Sequence, residues 1–335
     1  MNRIAQRLAT VTIGEPAQHR NLAVFPLIGA RQGRVEYLRL DEALAKALLR
    51  IAEEGPGGRV PEVAVHNEAP VPVLLVEGEE LVGCQQNRVI NVSILVPPRS
   101  HLVIPVSCVE QGRWKPTSAA FEAAEHSQFS KARAAKVASV SASLAAGAGY
   151  RSDQAGVWAR IHDKAEALKA ASATMAMADI YRQASSSLAE FERCLPKSDD
   201  ALGAAFCIGE TVAGIDLFDQ PGSWAKYGPK LLKGYALDAL DAPQPQSGGP
   251  TLSAPAFIDR LGAARFAARP ALGMGEDLRA DLPDITAAAL VADATVVHLC
   301  AFTKGHDLAA DRNVRSRLLR RRGAVGGMPP TEPGD

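Results

Sequence analysis

The sequence has little of what would place the protein in a membrane, outside the cell or on nucleic acid. No window approaches eighteen consecutive apolar residues, which predicts no membrane-spanning helix and no membrane partner. The N-terminus lacks the apolar core of a secretion signal, so we expect a cytoplasmic protein. Lys plus Arg and Asp plus Glu both number 37, and this neutral balance argues against a nucleic-acid partner.

Cysteine and the familiar catalytic motifs are equally sparse. The five cysteines are odd in number and scattered, and none forms a CxxC pair, which argues against a disulfide framework and a structural metal site. The sequence also lacks a Walker A loop and the GxGxxG, HExxH and GxSxG motifs. Common nucleotidases, dehydrogenases and metalloproteases are therefore not the first choice, and the sequence assigns no cofactor.

The patterns that are present predict an α+β fold built as one domain over residues 21–302. In residues 21–114, short apolar runs alternate with turn residues, which predicts mainly antiparallel strands. Residues 118–195 are rich in Ala and Ser, with apolar residues at helical spacing, and are predicted to be helical. Residues 204–302 mix strand and helix patterns, and we expect this α/β region to complete the sheet.

The ends of the chain and several local segments carry weaker patterns. Residues 1–20 are expected to form a loose lead-in, 241–255 an exposed linker, and 303–335 a basic, Gly- and Pro-rich tail. A helix is predicted to begin at Asp41 and to continue through EALAKALLRIAEE. Four strand-like runs in residues 72–114 are joined by short turns, so we expect them to be adjacent strands of one sheet.

Three stretches of the chain resemble one another. VLLVEGEELVG (73–83), AAFCIGETVAG (204–214) and AALVADATVVH (288–298) each contain an apolar run, a tight turn and a second apolar run. Each pattern predicts a β-hairpin, and the general similarity of hairpins explains the resemblance more simply than a true repeat. Strands from both ends of the chain could then join one sheet, with the helices inserted between them.

Polar side chains concentrate between Glu79 and Trp114, beside strongly apolar strands. A buried polar group without a partner costs about 1–3 kcal/mol, so either an internal network or a ligand must supply the partners. The candidate general acids, bases and nucleophile are three carboxylates and a thiol: Glu79, Glu80, Glu110 and Cys108. The candidate ligand-binding side chains are amides, cations and rings: Gln86, Asn87, Arg88, Gln111, Arg113, Trp114 and His298.

Each of these residues also has a purely structural interpretation. Glu79 and Glu80 could be exposed carboxylates at a Gly turn, and Cys108 could be a small core residue. Arg88 and Arg113 could pair with glutamates in a structural network instead of binding an anion. The tryptophan and the histidine could equally be core residues with satisfied hydrogen bonds.

Side-chain alternation and composition lead to two further expectations. If one strand continued from Glu80 to Arg88, the two side chains would share a face, as would Cys108 and Glu110 on the later strand. The polar residues of the predicted helical segment are mostly Ser, Gln and Lys. We therefore expect that segment to be exposed at positions such as Lys136 and to be separate from the site.

Seven segments in chain order carry a resemblance to a known family: EGEELVGCQQNRVIN, LVIPVSCVEQGRW, SDQAGVW, GIDLFDQP, PKLLKGYALDAL, GMGED and VVHLCAF. They resemble the ARG and rhodanese-phosphatase-superfamily-associated protein domain, in whose name ARG denotes ADP-ribosylglycohydrolase. The resemblance runs from about residue 20 to 302, and VSCVEQGRW is its most specific part. Two departures are Cys84, where a small residue such as Ala is expected, and Ala292-Asp293-Ala294, where an Asp-Gly turn is expected.

The resemblance implies an association with ADP-ribose-processing enzymes and transfers no catalytic role. It leads to three hypotheses for the polar cluster. The first is an enzyme or ligand-processing domain for a small anionic ligand, phosphorylated or linked to ADP-ribose or NAD, with an ADP-ribose-processing protein as a possible partner. The second is a non-catalytic sensor or binding module that uses the same pocket. The third is an assembly protein in which the polar cluster is structural.

Overall fold

The computed structural model describes residues 3–33, 35–55, 57–242 and 253–304, and it shows an α+β protein. The strands, in chain order, are β1 (Thr12–Ile13), β2 (Ala17–His19), β3 (Leu22–Ile28), β4 (Leu38–Arg39), β5 (Leu49–Glu53), β6 (Glu62–Asn67), β7 (Val73–Leu75), β8 (Glu79–Val82), β9 (Arg88–Ile90), β10 (Ile94–Val96), β11 (Ser100–Cys108), β12 (Glu122–Ser127), β13 (Ala201–Ile208), β14 (Thr211–Phe218), β15 (Ala267–Pro270), β16 (Glu276–Asp281), β17 (Ile285–Ala292) and β18 (Thr295–Thr303).

The α-helices are α1 (Arg3–Leu8), α2 (Leu40–Ala45), α3 (Ser130–Ala145), α4 (Gln154–Ala167), α5 (Met177–Gln183), α6 (Ser185–Ala189), α7 (Pro221–Asp241) and α8 (Ala254–Ala263). A 3₁₀ helix, Glu190–Cys194, follows α6. Within the described ranges no helix is long and apolar enough to cross a bilayer. Most of the predicted linker (243–252) and the predicted tail from residue 305 onwards lie outside the described residues.

The largest sheet has nine strands and joins the two ends of the chain. Its order is β1-β3-β13-β14-β18-β17-β16-β15, and β2 pairs with β3. The predicted hairpins at 204–214 and 288–298 are confirmed as β13–β14 and β17–β18, and they lie side by side in the sheet. The turn of the second hairpin holds Asp293 and Ala294 at φ 46° and 61°, as a two-residue hairpin turn of this kind requires.

Helices cover both faces of this sheet and create two of the three hydrophobic cores. Helices α3 and α7 pack on the face that carries Ala204 and Phe206, whereas α1 and α8 pack on the face that carries Ala205 and Cys207. Because successive side chains of a strand point to opposite faces, a strand between two helical layers is apolar throughout. This explains why all eight residues of β13 are buried.

Two smaller sheets share the third core. One has the order β12-β8-β9-β11-β6-β5 and the other the order β10-β7-β4, in which β4–β7 is a parallel pair. The expectation of one sheet over residues 72–114 is therefore wrong, because β7 and β10 pair with each other and not with β8, β9 or β11. The chain changes sheet at Gly78, whose φ of 89° suits glycine. The stretch 73–83 is consequently not a hairpin.

The helix predicted from Asp41 is too long. Helix α2 ends at Ala45, Ala47 adopts a φ of 53°, and the chain continues as β5. In β5, Leu49 and Ile51 are buried and Arg50 is exposed, which is the period-two alternation of a strand. The pairing of Ile51 with Val65 of β6 favours the strand over the predicted helix.

The segment predicted to be helical also begins with a strand. Residues Glu122–Ser127 form β12 at the edge of the six-stranded sheet, and the long helix starts only at Ser130. The last part of the predicted helical segment forms three short elements, α5, α6 and the 3₁₀ helix. These differences matter for function because β12 carries His126 beside the polar cluster.

Candidate functional site

The predicted polar residues lie in several separate places. Glu80, Asn87, Glu110 and Arg113 come together, and we call these four residues the Glu110 network. The Asn87 amide donates to Glu80 Oε1 at 3.1 Å and its oxygen accepts from Arg113 at 3.1 Å. Arg113 Nη2 is 2.6 Å from Glu110 Oε2. The amides, carboxylates and guanidinium of the network therefore satisfy one another.

Glu110 is the best-paired carboxylate of this network. Its oxygens also accept from the Asn87 backbone N–H at 3.2 Å and from the Thr174 hydroxyl at 2.8 Å. Burial raises the pKa of Glu110, but hydrogen bonds from Arg113, Thr174 and the backbone N–H of Asn87 outweigh burial and lower this pKa. An ionised, fully bonded carboxylate of this kind is a weak proton acceptor and a good structural anchor.

Arg88 lies beneath the exposed ring of Trp114. Its guanidinium carbon is 5.6 Å from the Trp114 ring centroid, and Nη1 donates to Gln86 Oε1 at 2.8 Å. Arg88 shares no face with Glu80, contrary to expectation, because it starts β9 and pairs with Leu81 of β8. Trp114 is 49% exposed and Arg88 is fully buried, so a cation–π contact covers the arginine at this surface.

Cys108 and Gln111 occupy contrasting environments. Cys108 ends β11 with no exposed surface, and burial raises the pKa of its thiol, which therefore stays protonated and unreactive. Gln111 is exposed. The environment of Cys108 is that of a core residue.

Glu79 faces away from the Glu110 network, toward α7. Its Oε2 accepts from the Val76 backbone N–H at 2.8 Å, and its Oε1 is 3.5 Å from Lys230 Nζ. Lys230 lies closer to Asp41, at 2.7 Å, so Glu79 receives only part of its attraction. Burial dominates and raises the pKa of Glu79 to about 7. Glu79 and Glu80 are both buried, not exposed at a turn.

His298 belongs to a second buried cluster, the ionic core, which consists of Glu77, Arg133, Lys136, Asp216 and His298. Arg133 makes two bonds to Asp216, at 3.0 and 2.7 Å, and one to Glu77 at 3.0 Å. Lys136 Nζ is 2.9 Å from Glu77, so the expectation that Lys136 is exposed is wrong. His298 Nε2 is 3.3 Å from Asp216.

The ionic core holds the nine-stranded sheet to the smaller sheets through α3. Burial raises the pKa of Glu77 and of Asp216, but the neighbouring cations outweigh burial and lower both. His298 Nδ1 is 2.8 Å from the Ser93 hydroxyl, so both ring nitrogens have partners. All five members are at most 1% exposed, which indicates a structural clamp and not a ligand site.

Glu80 connects the Glu110 network to an open cleft through His126, a residue outside the predicted site. His126 Nε2 is 2.6 Å from Glu80 Oε2, and its ring stacks on Tyr181 with centroids 3.8 Å apart. The Tyr181 hydroxyl donates to Ser127 O at 2.7 Å, which fixes the stacked ring. The Glu80–His126 pair is therefore held on both sides by buried groups.

His126 lines a cleft of about 530 Å³ between β12 and helices α5 and α6, which we call the His126 cleft. Its apolar lining includes Ala178, Leu188 and Ala189. Its charged lining consists of the cations Arg182 and Lys233 and the carboxylates Glu122, Glu125 and Glu192. No group of His, Cys, Asp and Glu suited to hold a metal ion occurs among the described residues. The cleft is thus equipped for hydrogen bonding, ion pairing and proton transfer by an imidazole.

A family model, the ARG and Rhodanese-Phosphatase-superfamily-associated Protein domain, matches residues 10–302. The chain belongs to this family. The match includes all three sheets, the ionic core and the His126 cleft. Neither the curated proteins nor the solved structures contain a significant match.

Within the ARPP-1 domain, His126 was missed because its segment was predicted to be a helix. The pattern EAAEHS alternates only weakly, and its strand state depends on pairing with β8. A bulge between Ala123 and Ser127 lies beside the histidine. The sequence offered one signal, because His126 is the one histidine in residues 118–146. This signal gave no indication that His126 contacts Glu80.

Proposed function

We propose that the chain binds a small polar metabolite in the His126 cleft, and that the Glu80–His126 pair transfers a proton to or from this metabolite. The contact that carries this proposal is the 2.6 Å bond between His126 Nε2 and Glu80. A carboxylate that accepts from one ring nitrogen fixes the tautomer and leaves the other nitrogen as a base. Among the described residues nothing forms a hydrogen bond with Nδ1 of His126.

The proposed ligand is a small anionic molecule linked to ADP-ribose or NAD. The cleft volume of about 530 Å³ falls within the usual range for small-molecule sites. Arg182 and Lys233 would pair with phosphate groups, and the carboxylates of the lining would accept hydrogen bonds from ribose hydroxyls. The family's described association with ADP-ribosylglycohydrolase-type proteins favours this ligand class.

The first experiment is a binding test. Thermal unfolding of the full chain would be followed with ADP-ribose, NAD, ADP and ribose 5-phosphate, and hits would be measured by isothermal titration calorimetry. A ligand at a hundredfold excess over its Kd stabilises the native state by about 2.7 kcal/mol. If none of the four ligands raises the melting temperature, the assignment to an ADP-ribose-linked ligand fails.

The second experiment tests the role of His126. The variants His126→Gln and His162→Gln would be compared, the latter changing an exposed histidine of α4. Turnover of the bound ligand, followed by chromatography, should fall by about 10²–10⁴-fold in His126→Gln and stay at the wild-type rate in His162→Gln. Unchanged turnover in His126→Gln would remove the imidazole from the chemistry.

A non-catalytic sensor is the second candidate, and the binding and turnover tests separate it from an enzyme. Binding of a ligand that remains intact over many hours would support the sensor. The bonds among Asn87, Glu110 and Arg113 favour a structural role for these three residues. Glu110→Gln should accordingly lower stability more than ligand affinity, which unfolding and titration of the same sample would compare.

An ADP-ribose-processing protein remains the proposed partner, on the strength of the family description alone. Mixing the purified chain with a purified ADP-ribosylglycohydrolase and measuring sedimentation would test it directly. A stable complex at micromolar concentration is the expected result. Independent sedimentation of the two proteins would reject this partner and leave the ligand proposal unaffected.

A further inference from the structure

A second, smaller cavity lies between α3 and one end of the β17–β18 hairpin, and it shares no lining residue with the His126 cleft. Its volume is about 110 Å³. The polar lining consists of Ser130, Lys131, Arg160, Thr286, Thr303 and Lys304. The remaining lining residues are Ala and Ile, so the cavity has three cations and no carboxylate on its surface. We call it the threonine cavity.

Thr286 distinguishes this cavity from an ordinary surface depression. It is fully buried, and its hydroxyl has no hydrogen-bond partner within the described part of the chain. Thr286 lies on the same face of β17 as Ala288 and Leu290, which pack in the core beneath α3. An unsatisfied buried hydroxyl costs about 1–3 kcal/mol, and an oxygen atom bound in the cavity would remove that cost.

The two lysines of the cavity retain hydrogen-bonding capacity. Lys131 Nζ is 3.6 Å from Asp241, a loose contact, while Lys304 Nζ lies 2.6 Å from Asp281 and donates to Leu282 O at 2.7 Å. An ammonium has three donors, so these contacts leave at least one donor on each of the two lysines for a ligand. The three cationic side chains and Thr286 line the same cavity.

We propose that the threonine cavity binds a phosphate group. The cavity volume of about 110 Å³ lies below the roughly 300–1,000 Å³ of sites that enclose a whole small molecule, and it suits a single phosphate group better than a whole nucleotide. The organic part of a phosphate ester would extend into a neighbouring cavity of about 250 Å³, which shares Arg160, Ala135 and Ala138 with the threonine cavity. The proposal does not rest on the His126 cleft.

The test is isothermal titration of the full chain with inorganic phosphate and with ribose 5-phosphate at constant ionic strength. Thr286→Val removes the unpartnered hydroxyl without changing the side-chain shape, and should leave the melting temperature equal or higher while weakening phosphate binding about tenfold. Thr295→Val is the matched control, because that buried hydroxyl already bonds Asp293 O. It should leave phosphate affinity unchanged.

A second pair of variants tests the charge. Lys131→Gln should weaken phosphate binding, whereas Lys226→Gln removes the same charge from an exposed position on α7 and should not. Equal affinities of wild type and Thr286→Val would overturn the proposal, as would the absence of saturable binding in wild type or equal losses in the two lysine variants. Tighter binding of ribose 5-phosphate than of inorganic phosphate would identify a phosphorylated metabolite as the ligand. Equal affinities for the two compounds would identify inorganic phosphate.

Discussion

Glu79 should make the stability of this protein fall as the pH rises toward neutrality. Burial raises the pKa of Glu79 from 4.5 to about 7. Between these values the native state holds a proton that the unfolded state has released, so the free energy of unfolding decreases as the pH rises. A difference of about 2.5 pKa units at 1.36 kcal/mol each corresponds to a loss of about 3 kcal/mol. The loss is complete above about pH 7.

The variant Glu79→Gln cannot ionise and should escape this loss. Its free energy of unfolding, relative to wild type, should increase by about 3 kcal/mol between pH 4.5 and pH 8, which urea unfolding followed by circular dichroism would measure. Subtracting the wild-type curve removes the contributions of all other titrating groups. Glu122→Gln, at an exposed position of β12, serves as the control and should follow the wild-type curve.

A constant difference in the free energy of unfolding between Glu79→Gln and wild type across this pH range would refute the predicted effect of Glu79. That result would mean that Lys230, despite its closer bond to Asp41, fully compensates the Glu79 carboxylate. A decrease of the difference with rising pH would be a stronger contradiction. It would show that the ionised pair stabilises the native state.

Two further predictions concern the cores. Arg133→Met removes the main cation of buried Asp216 and one of the two cations beside buried Glu77, and it should lower the free energy of unfolding by about 3–5 kcal/mol in urea titrations; a loss below 1 kcal/mol would contradict the clamp. All five cysteines are buried free thiols, so a disulfide reagent should modify Cys108 only in denaturant, and Cys108→Ser should cost about 1–3 kcal/mol. Rapid modification of native Cys108, detected by peptide mass, would contradict its placement in the core.

The parts of the fold that could be predicted from the sequence are those that local pattern decides. Strands β13 and β14 are long apolar runs on either side of Gly209, so the hairpin that they form was predicted from the sequence. Strand β5 was predicted as helix, since LLRIAEE satisfies both periodicities. Only its pairing with β6 decides in favour of the strand.

The candidate site was predictable to the extent that its residues are close in the chain. Glu80 lies on β8, Asn87 directly precedes β9, and Glu110 and Arg113 follow β11. These strands are neighbours in one sheet, and the structure brings the four residues together. The contact with His126 depends on β12 joining the sheet edge, which is a tertiary event with little local signal. The ionic core depends in the same way on the docking of α3 between sheets.

The pairing of Ile28 with Ala201 has a consequence for biosynthesis. Strand β3 has β1 and β2 along one edge, but its other edge must wait for β13 to emerge from the ribosome. The intervening residues leave the sheet and return to it at neighbouring points, so they can collapse first as a looped-out unit. Pairing across so long a loop is slow, because the loop-closure entropy is lost before the contact forms. We therefore expect the nascent chain to resist proteolysis in residues 49–127 before residues 22–28 become protected.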